Sequence, residues 1–435
     1  MRGFFVALLG FAISCAERTL PGDPQVVLFV DTDAPVAPLG SLVPATEPTP
    51  LFGRLEIAIF RPGESEPCSG CVRIFSVTDV AFREGRVSIG VPVRAAEGGT
   101  RARLRLFRGN GSGPRPRSTL ESVVILPPTS TPTEAHVVLS MNDLDGPRGT
   151  LSEPIPARAG PPLASKVGSW PGAPRVPCAG AAPEGTACVP GGAFWMGASD
   201  EDPRDERLVI LSPFFLDTTE VTTAAYLRAG GTFKTPPRDA PNTEATDYCT
   251  ASRGPSSLPM NCVTREAAQA YCSARGGRLP TEAELEYVAS NFRGDAFPWG
   301  PEAPRCIDGV FSRLETLVGP TACTREDRRA FPPGPAPVDR VRDAERDAVE
   351  LPTGTVFDLA GNLMEMVSDE YQSRGGPFWS EPRTFTDPVC PMREVPNLVP
   401  VRGGSYTYPR SAQDSRGDHQ GESFTRGFRC ARPAR

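Results

Sequence analysis

AYCSARGGRLPTEAELEY, residues 270–287, decides how the second half of this chain folds. It holds the end of one helix and the start of another. Upstream, Thr264 can cap a helix whose apolar stripe is Ala267, Ala270, Tyr271 and Ala274, and Gly276 and Gly277 end it. Downstream, Thr281 and Glu284 form a capping box, in which each side chain satisfies a backbone N–H that the first turn leaves unpaired. Leu285, Val288, Ala289 and Phe292 then recur at helical spacing until Gly294 stops the pattern. The conspicuous Glu282, Glu284 and Glu286 are therefore helix-start residues first and catalytic candidates second.

Outside this stretch, helix signals are few. The 435 residues allow two or three domains. Net charge is −6 with both signs interspersed, so no basic surface points to nucleic acid. Proline, at 50 residues, is about twice its usual share of ~5%, which favours short strands and long loops. Lysine occurs only at Lys166 and Lys234, which argues against Schiff-base chemistry. Histidine occurs only at His136 and His419, which excludes a three-histidine metal site within one chain.

The chain starts MRGFFVALLGFAISC. One arginine precedes an apolar run from Phe4 to Ile13, too short for a mature membrane span and laid out as a secretory signal (1–14). Ala12-Ile13-Ser14-Cys15 resembles a bacterial lipobox, which implies acylation of Cys15, export and attachment to membrane lipid. Ala16 follows, and a non-aspartate residue there resembles the outer-membrane sorting signal. Residues 15–24 form the tether. The other eleven cysteines are then disulfide candidates, and the odd count leaves at least one unpaired within the chain.

Residues 25–143 carry strand patterns and almost no helix pattern, which predicts an all-β sandwich. In RLEIAIF (54–60), Leu55, Ile57 and Ile59 share a face; in TRARLRLF (100–107), Ala102, Leu104 and Leu106 point inward. Arg101, Arg103 and Arg105 alternate with them, reading as a solvated face before an anion site. Cys68-Ser69-Gly70-Cys71 is compatible with a redox or zinc pair, but with no second pair and no nearby histidine a hairpin-turn disulfide is preferred. The runs 31–35 and 141–146 are polar turns before they are calcium loops. Residues 144–177, rich in Pro, Gly, Ala and Arg, read as a linker in which Trp170 is the residue able to dock on a neighbour. The third unit spans 178–435; its charged loop 200–207 reads as solvated. Spacing alone makes Cys178–Cys188, Cys249–Cys262 and Cys306–Cys323 plausible bridges.

VPGGAFWMG, FFLDTTEVT, AYCSARGGRLPTEAELEY, PWG, DLAGNLMEM, VRGGSY and GFRC occur in order from residue 189 to 430. Together they resemble the formylglycine-generating enzymes, or sulfatase-modifying factors, over about 178–435. The resemblance implies an α+β fold like that of C-type lectins, with little regular secondary structure. It implies a Cys272–Cys430 disulfide, which leaves Cys390 over. It also implies a calcium site made by the side chains of Asp358 and Glu365 and the carbonyls of Gly361 and Leu363; ligands for a second site are not matched around Asp308. Active members oxidise a cysteine of a client sulfatase with two cysteines that bind copper(I) as thiolates. Here those positions are Tyr408 and Gln413, neither a soft ligand. Ser405 matches an active-site serine, yet His419 with Asp418 is the nearest base in sequence. Met364 stands where a tryptophan shapes the oxidase pocket. A related iron-dependent branch needs histidines this chain lacks. The expectation is therefore calcium without copper or iron, and a non-catalytic binding or scaffolding module for an envelope protein or glycan. The alternative is an oxidase acting on a sulfatase cysteine.

Overall fold

The computed structural model describes residues 24–38, 47–93, 98–108, 113–115, 117–161, 163–197, 206–233, 249–313, 323, 332–373, 375–381, 383–414, 416–419 and 421–434. The expected secretory signal, Cys15 and most of the expected tether lie outside these residues, as does the charged loop up to 205.

The N-terminal third builds two sheets. One has the order Ser88–Pro92, Gln25–Thr32, Thr133–Leu139, Arg158–Ala159; the other runs Val72–Ser76, Arg54–Phe60, Arg101–Phe107, Thr119–Ile125, Ile155–Pro156. Antiparallel pairing sets Leu55 opposite Leu106, Ile57 opposite Leu104 and Ile59 opposite Ala102. Val26, Leu28 and Val30 of the first sheet join these residues in one buried cluster. Each fully buried leucine or valine contributes about 1.5–3 kcal/mol relative to exposure. One short helix, Asp79–Arg83, is capped by Thr78.

Several expectations change on contact with tertiary structure. Arg54–Phe60 is buried on both faces, because Arg105 lies over Glu56 and the Arg103 guanidinium sits 5.2 Å from the Phe60 ring. The arginine row is thus engaged. Arg101 donates to the Leu151, Arg61 and Glu64 carbonyls, and Arg105 bonds Glu121. Residues 144–177 are built into the fold: Ile155–Pro156 and Arg158–Ala159 each extend a sheet, Val167 and Ala173 are buried, and Trp170 packs on the core. Two-residue strands leave no periodicity to read, which is why composition alone pointed to a linker. Asp31 and Asp33 accept bonds from Ser165, Lys166 N, Ser140 and Met141 N, and so tie turns together.

The C-terminal region is mostly short sheet with few helices. Its sheets are Thr186–Val189, Phe214–Asp217, Ala431–Pro433; Gly192–Met196, Arg207–Leu211, Phe385–Thr386; and Arg416–His419, Leu398–Arg402, Met364–Met366, Arg426–Gly427, with a hairpin Ala348–Leu351/Gly354–Phe357. Helix Arg265–Ala274 starts at Thr264, but it buries Ala268, Tyr271 and Cys272 and exposes Ala270 and Ala274. The disulfide at Cys272 and the Tyr271–Phe428 ring contact rotate that face inward, correcting the expected stripe. Helix Glu282–Ala289 forms the full capping box and is buried on every side.

Disulfides join Cys68–Cys71, Cys178–Cys188, Cys249–Cys262, Cys272–Cys430 and Cys306–Cys323, and Cys390 is free and buried.

Candidate functional site

Strand Leu398–Arg402 delivers Arg402 and then the turn containing Ser405 and Tyr408. Two glycines let that turn press on Leu359 and Ala360. Gly403 has φ +75°, and a Cβ on Gly404 would collide with the Ala360 carbonyl. Tyr406 N then donates to Asn362 O at 2.7 Å, locking the two motif turns together.

The positions matched to copper ligands do not present a metal grip. Tyr408 is 41% exposed, whereas Gln413 is buried and its Nε2 donates to Gly294 O at 2.7 Å. Ser405 is buried, and its Oγ shares a 2.6 Å hydrogen bond with Thr407 Oγ1. Among the described side chains no titratable group bonds Ser405; the side chain of His419 lies outside them. Met364 is buried among Tyr271, Met260 and Phe428. Cys390 is held by Asp369 through its N–H, and burial pushes its thiol up to about 11, away from the nucleophilic thiolate.

The expected calcium carboxylates are occupied by arginine. Asp358, with φ +60°, accepts from Arg340 Nη1 at 3.1 Å, from Arg340 Nη2, and from Arg342 Nη2 at 2.7 Å. Glu365 accepts from Arg429 Nε at 2.8 and 2.7 Å and from Nη2 at 2.6 Å. Asp308 is clamped in the same way by Arg305 and Arg346. Sequence reading missed these partners, and Glu220 as well, whose carboxylate meets Asn362 Nδ2 and Leu363 N at 3.3 Å. Burial, then the nearby Asp358 charge, pushes the Glu220 pKa well up. The one local signal was Arg340-Val341-Arg342, whose two-residue spacing puts both guanidiniums on one side and leaves Val341 80% exposed.

Under the site, Arg402 bonds Glu282 at 3.1 Å and Glu286 at 2.8 Å; all three are buried. Glu284 serves the capping box and Arg278. Each of the three glutamates thus has a partner within the fold. Asp369 and Asp347 are each raised to about 7, mainly by burial and then by Glu282 and Asp358 respectively. Unfolded carboxyls bind protons only below about 4. Between there and about 7 the folded chain holds more protons than the unfolded one, so stability falls as pH rises through this window. The melting temperature is expected to be higher at the acid end of the window than at its neutral end. Asp347→Asn keeps an oxygen to accept the Leu359 and Ala360 N–H groups and should flatten the slope. An unaltered slope in that variant would remove Asp347 from the account.

Residues 176–434 match the family described as the sulfatase-modifying factor enzyme 1-like domain, more than half of the chain. The chain belongs to that family. Within this sulfatase-modifying-factor-like chain, 306 aligned residues are 29% identical to the formylglycine-generating enzyme of Thermomonospora curvata, covering 57% of this chain and 93% of that protein. It is also 26% identical to the inactive C-alpha-formylglycine-generating enzyme 2 of Bos taurus, covering 42% and 70% respectively. Among solved structures, PvdO from Pseudomonas aeruginosa aligns with a TM-score of 0.39 and 20% identity over 57% of this chain and 94% of that one.

Proposed function

We propose that this is an exported lipoprotein, acylated at Cys15 and held by outer-membrane lipid at the periplasmic or surface face. Its sulfatase-modifying-factor-like domain acts as a non-catalytic binding or scaffolding module for an envelope protein segment or glycan. The N-terminal two-sheet unit is a β-sandwich, and the C-terminal unit is a C-type-lectin-like form of the family fold. One observation carries the loss of catalysis: the matched copper positions hold an exposed phenol and a buried amide committed to the Gly294 carbonyl. Ten of the eleven described cysteines sit in disulfides, and the remaining one, Cys390, is a buried thiol, so the described residues lack a free pair of thiolates. Two soft sulfurs are what copper(I) requires. The inactive bovine relative supports the same reading.

Titrating the full chain with copper(I) against a competing chelator is expected to reveal no stoichiometric tight site. Co-expression with a sulfatase should leave the target cysteine unmodified by mass spectrometry. Aldehyde formation that disappears in Cys390→Ser would establish the oxidase alternative instead.

A further inference from the structure

The residues that resemblance assigns to calcium do not fit the ion. Calcium needs six to eight oxygens at about 2.3–2.6 Å. Here both oxygens of Asp358 face guanidinium nitrogens of Arg340 and Arg342, and both oxygens of Glu365 face Arg429. With three guanidinium contacts on each carboxylate, each keeps about one of its roughly four lone-pair sites for an ion. Among the described residues, no three His, Cys, Asp or Glu side chains converge as a metal-binding group.

Three arginines and three carboxylates pair directly around the turn, with the buried Glu220 and Asp347 also beside Asp358. Arg340, Arg342 and Arg429 supply three positive charges. Asp358, Glu365 and Glu345 supply three negative ones, Glu345 accepting from Arg340 at 2.9 and 2.7 Å. A divalent cation placed between Asp358 and Glu365 would meet three buried or half-buried guanidiniums in a low-dielectric setting, where repulsion is weakly screened. The clamps are also fixed by their own surroundings. Arg342 lies 4.4 Å over the Phe357 ring, and Arg429 reaches the Asp217 and Phe357 carbonyls at 3.1 and 2.7 Å. They therefore bind the turn to the hairpin before it, to the strand Phe214–Asp217 and to the segment just before the C-terminal strand.

We propose that Arg340 and Arg342 have replaced the divalent cation at this turn by engaging Asp358; together with Arg429, which belongs to the shared GFRC motif and engages Glu365, they hold the DLAGNLMEM segment in a calcium-independent fold. Planar guanidiniums suit this task because each delivers parallel donors to a carboxylate.

The test uses the full chain, calcium as the probe, and thermal melting beside equilibrium dialysis. After chelation, the wild type should melt within about 1 °C of its value in millimolar calcium and retain no stoichiometric ion on dialysis. A resident ion at about 100 times its dissociation constant would instead raise the midpoint by several degrees. That outcome, or one bound calcium per chain lost in Asp358→Asn, overturns the proposal. The double variant Arg340→Gln, Arg342→Gln uncovers Asp358; it should melt lower than wild type and regain part of the loss on adding calcium. A folded double variant indifferent to calcium shows that the arginines do not stand in the ion's place, and also overturns the proposal. If the double variant fails to fold, the wild-type melting and dialysis decide by themselves.

Discussion

Replacing Cys272 and Cys430 together by alanine will lower the stability of the C-terminal domain by about 5 kcal/mol. The bridge spans 158 positions of sequence, so breaking it restores the conformational freedom of a long loop to the unfolded chain. Both cysteines are fully buried beside Tyr226, Tyr271, Met260 and Phe428. Cys430 also immediately precedes Ala431–Pro433, which pairs with Phe214–Asp217. The bridge therefore fastens the end of the chain to a helix formed far earlier. Denaturant unfolding followed by circular dichroism measures the loss. The control is Cys68–Cys71, separated by three positions, for which the same entropy argument gives only about 2 kcal/mol. If the long bridge costs no more than the short one, the termini are held by packing alone and the loop-closure account fails.

Legibility in the sequence followed the range of the interaction. The capping box of Thr281 and Glu284 lies within four residues, and it was readable because both partners and the apolar run after them are local. Alternation in Arg101–Phe107 was equally plain, since the strand period is short. The burial of Glu282 and Glu286 was not, because their partner Arg402 lies more than a hundred residues away. The same holds for Asp358: the resemblance named a carboxylate and a metal, while the arginines that fill it sit 16 and 18 positions upstream in a segment with no periodic pattern. Helix Arg265–Ala274 shows the intermediate case. Its start was set by Thr264, but its buried face was chosen by a disulfide partner near the other end of the domain. Tyr408 and Gln413 declare by residue type alone that neither matched position carries sulfur.

Trp195→Ala is expected to destabilise both halves of the molecule by about 3–5 kcal/mol, since it removes a core aromatic shared between them. Trp195 lies on Gly192–Met196 of the family domain, yet its ring meets Phe52 edge-on at 5.8 Å and its Nε1 donates to Leu51 O at 2.8 Å. It is buried in the same cluster as the N-terminal sheets, along with Ala193 and Leu208. Around it, Thr49 donates to Phe292 O at 2.8 Å, and the Arg175 guanidinium lies 5.1 Å from both the Tyr287 and Phe292 rings. Arg108 bonds Glu206 at 2.8 Å and reaches the carbonyls of Arg293 and Gly294. Gly294 O also receives Gln413, so the N-terminal unit braces the loop that holds a matched copper position. An interface this apolar should make the two units unfold together in the wild type. In Trp195→Ala, calorimetry should show a lower midpoint and a transition that broadens or splits, because the units lose their shared core while each keeps its own. Hydrogen exchange should rise in both Arg54–Phe60 and Gly192–Met196. Faster exchange confined to the family domain would mean that the N-terminal sheets stand independently and that Trp195 fills only its own side.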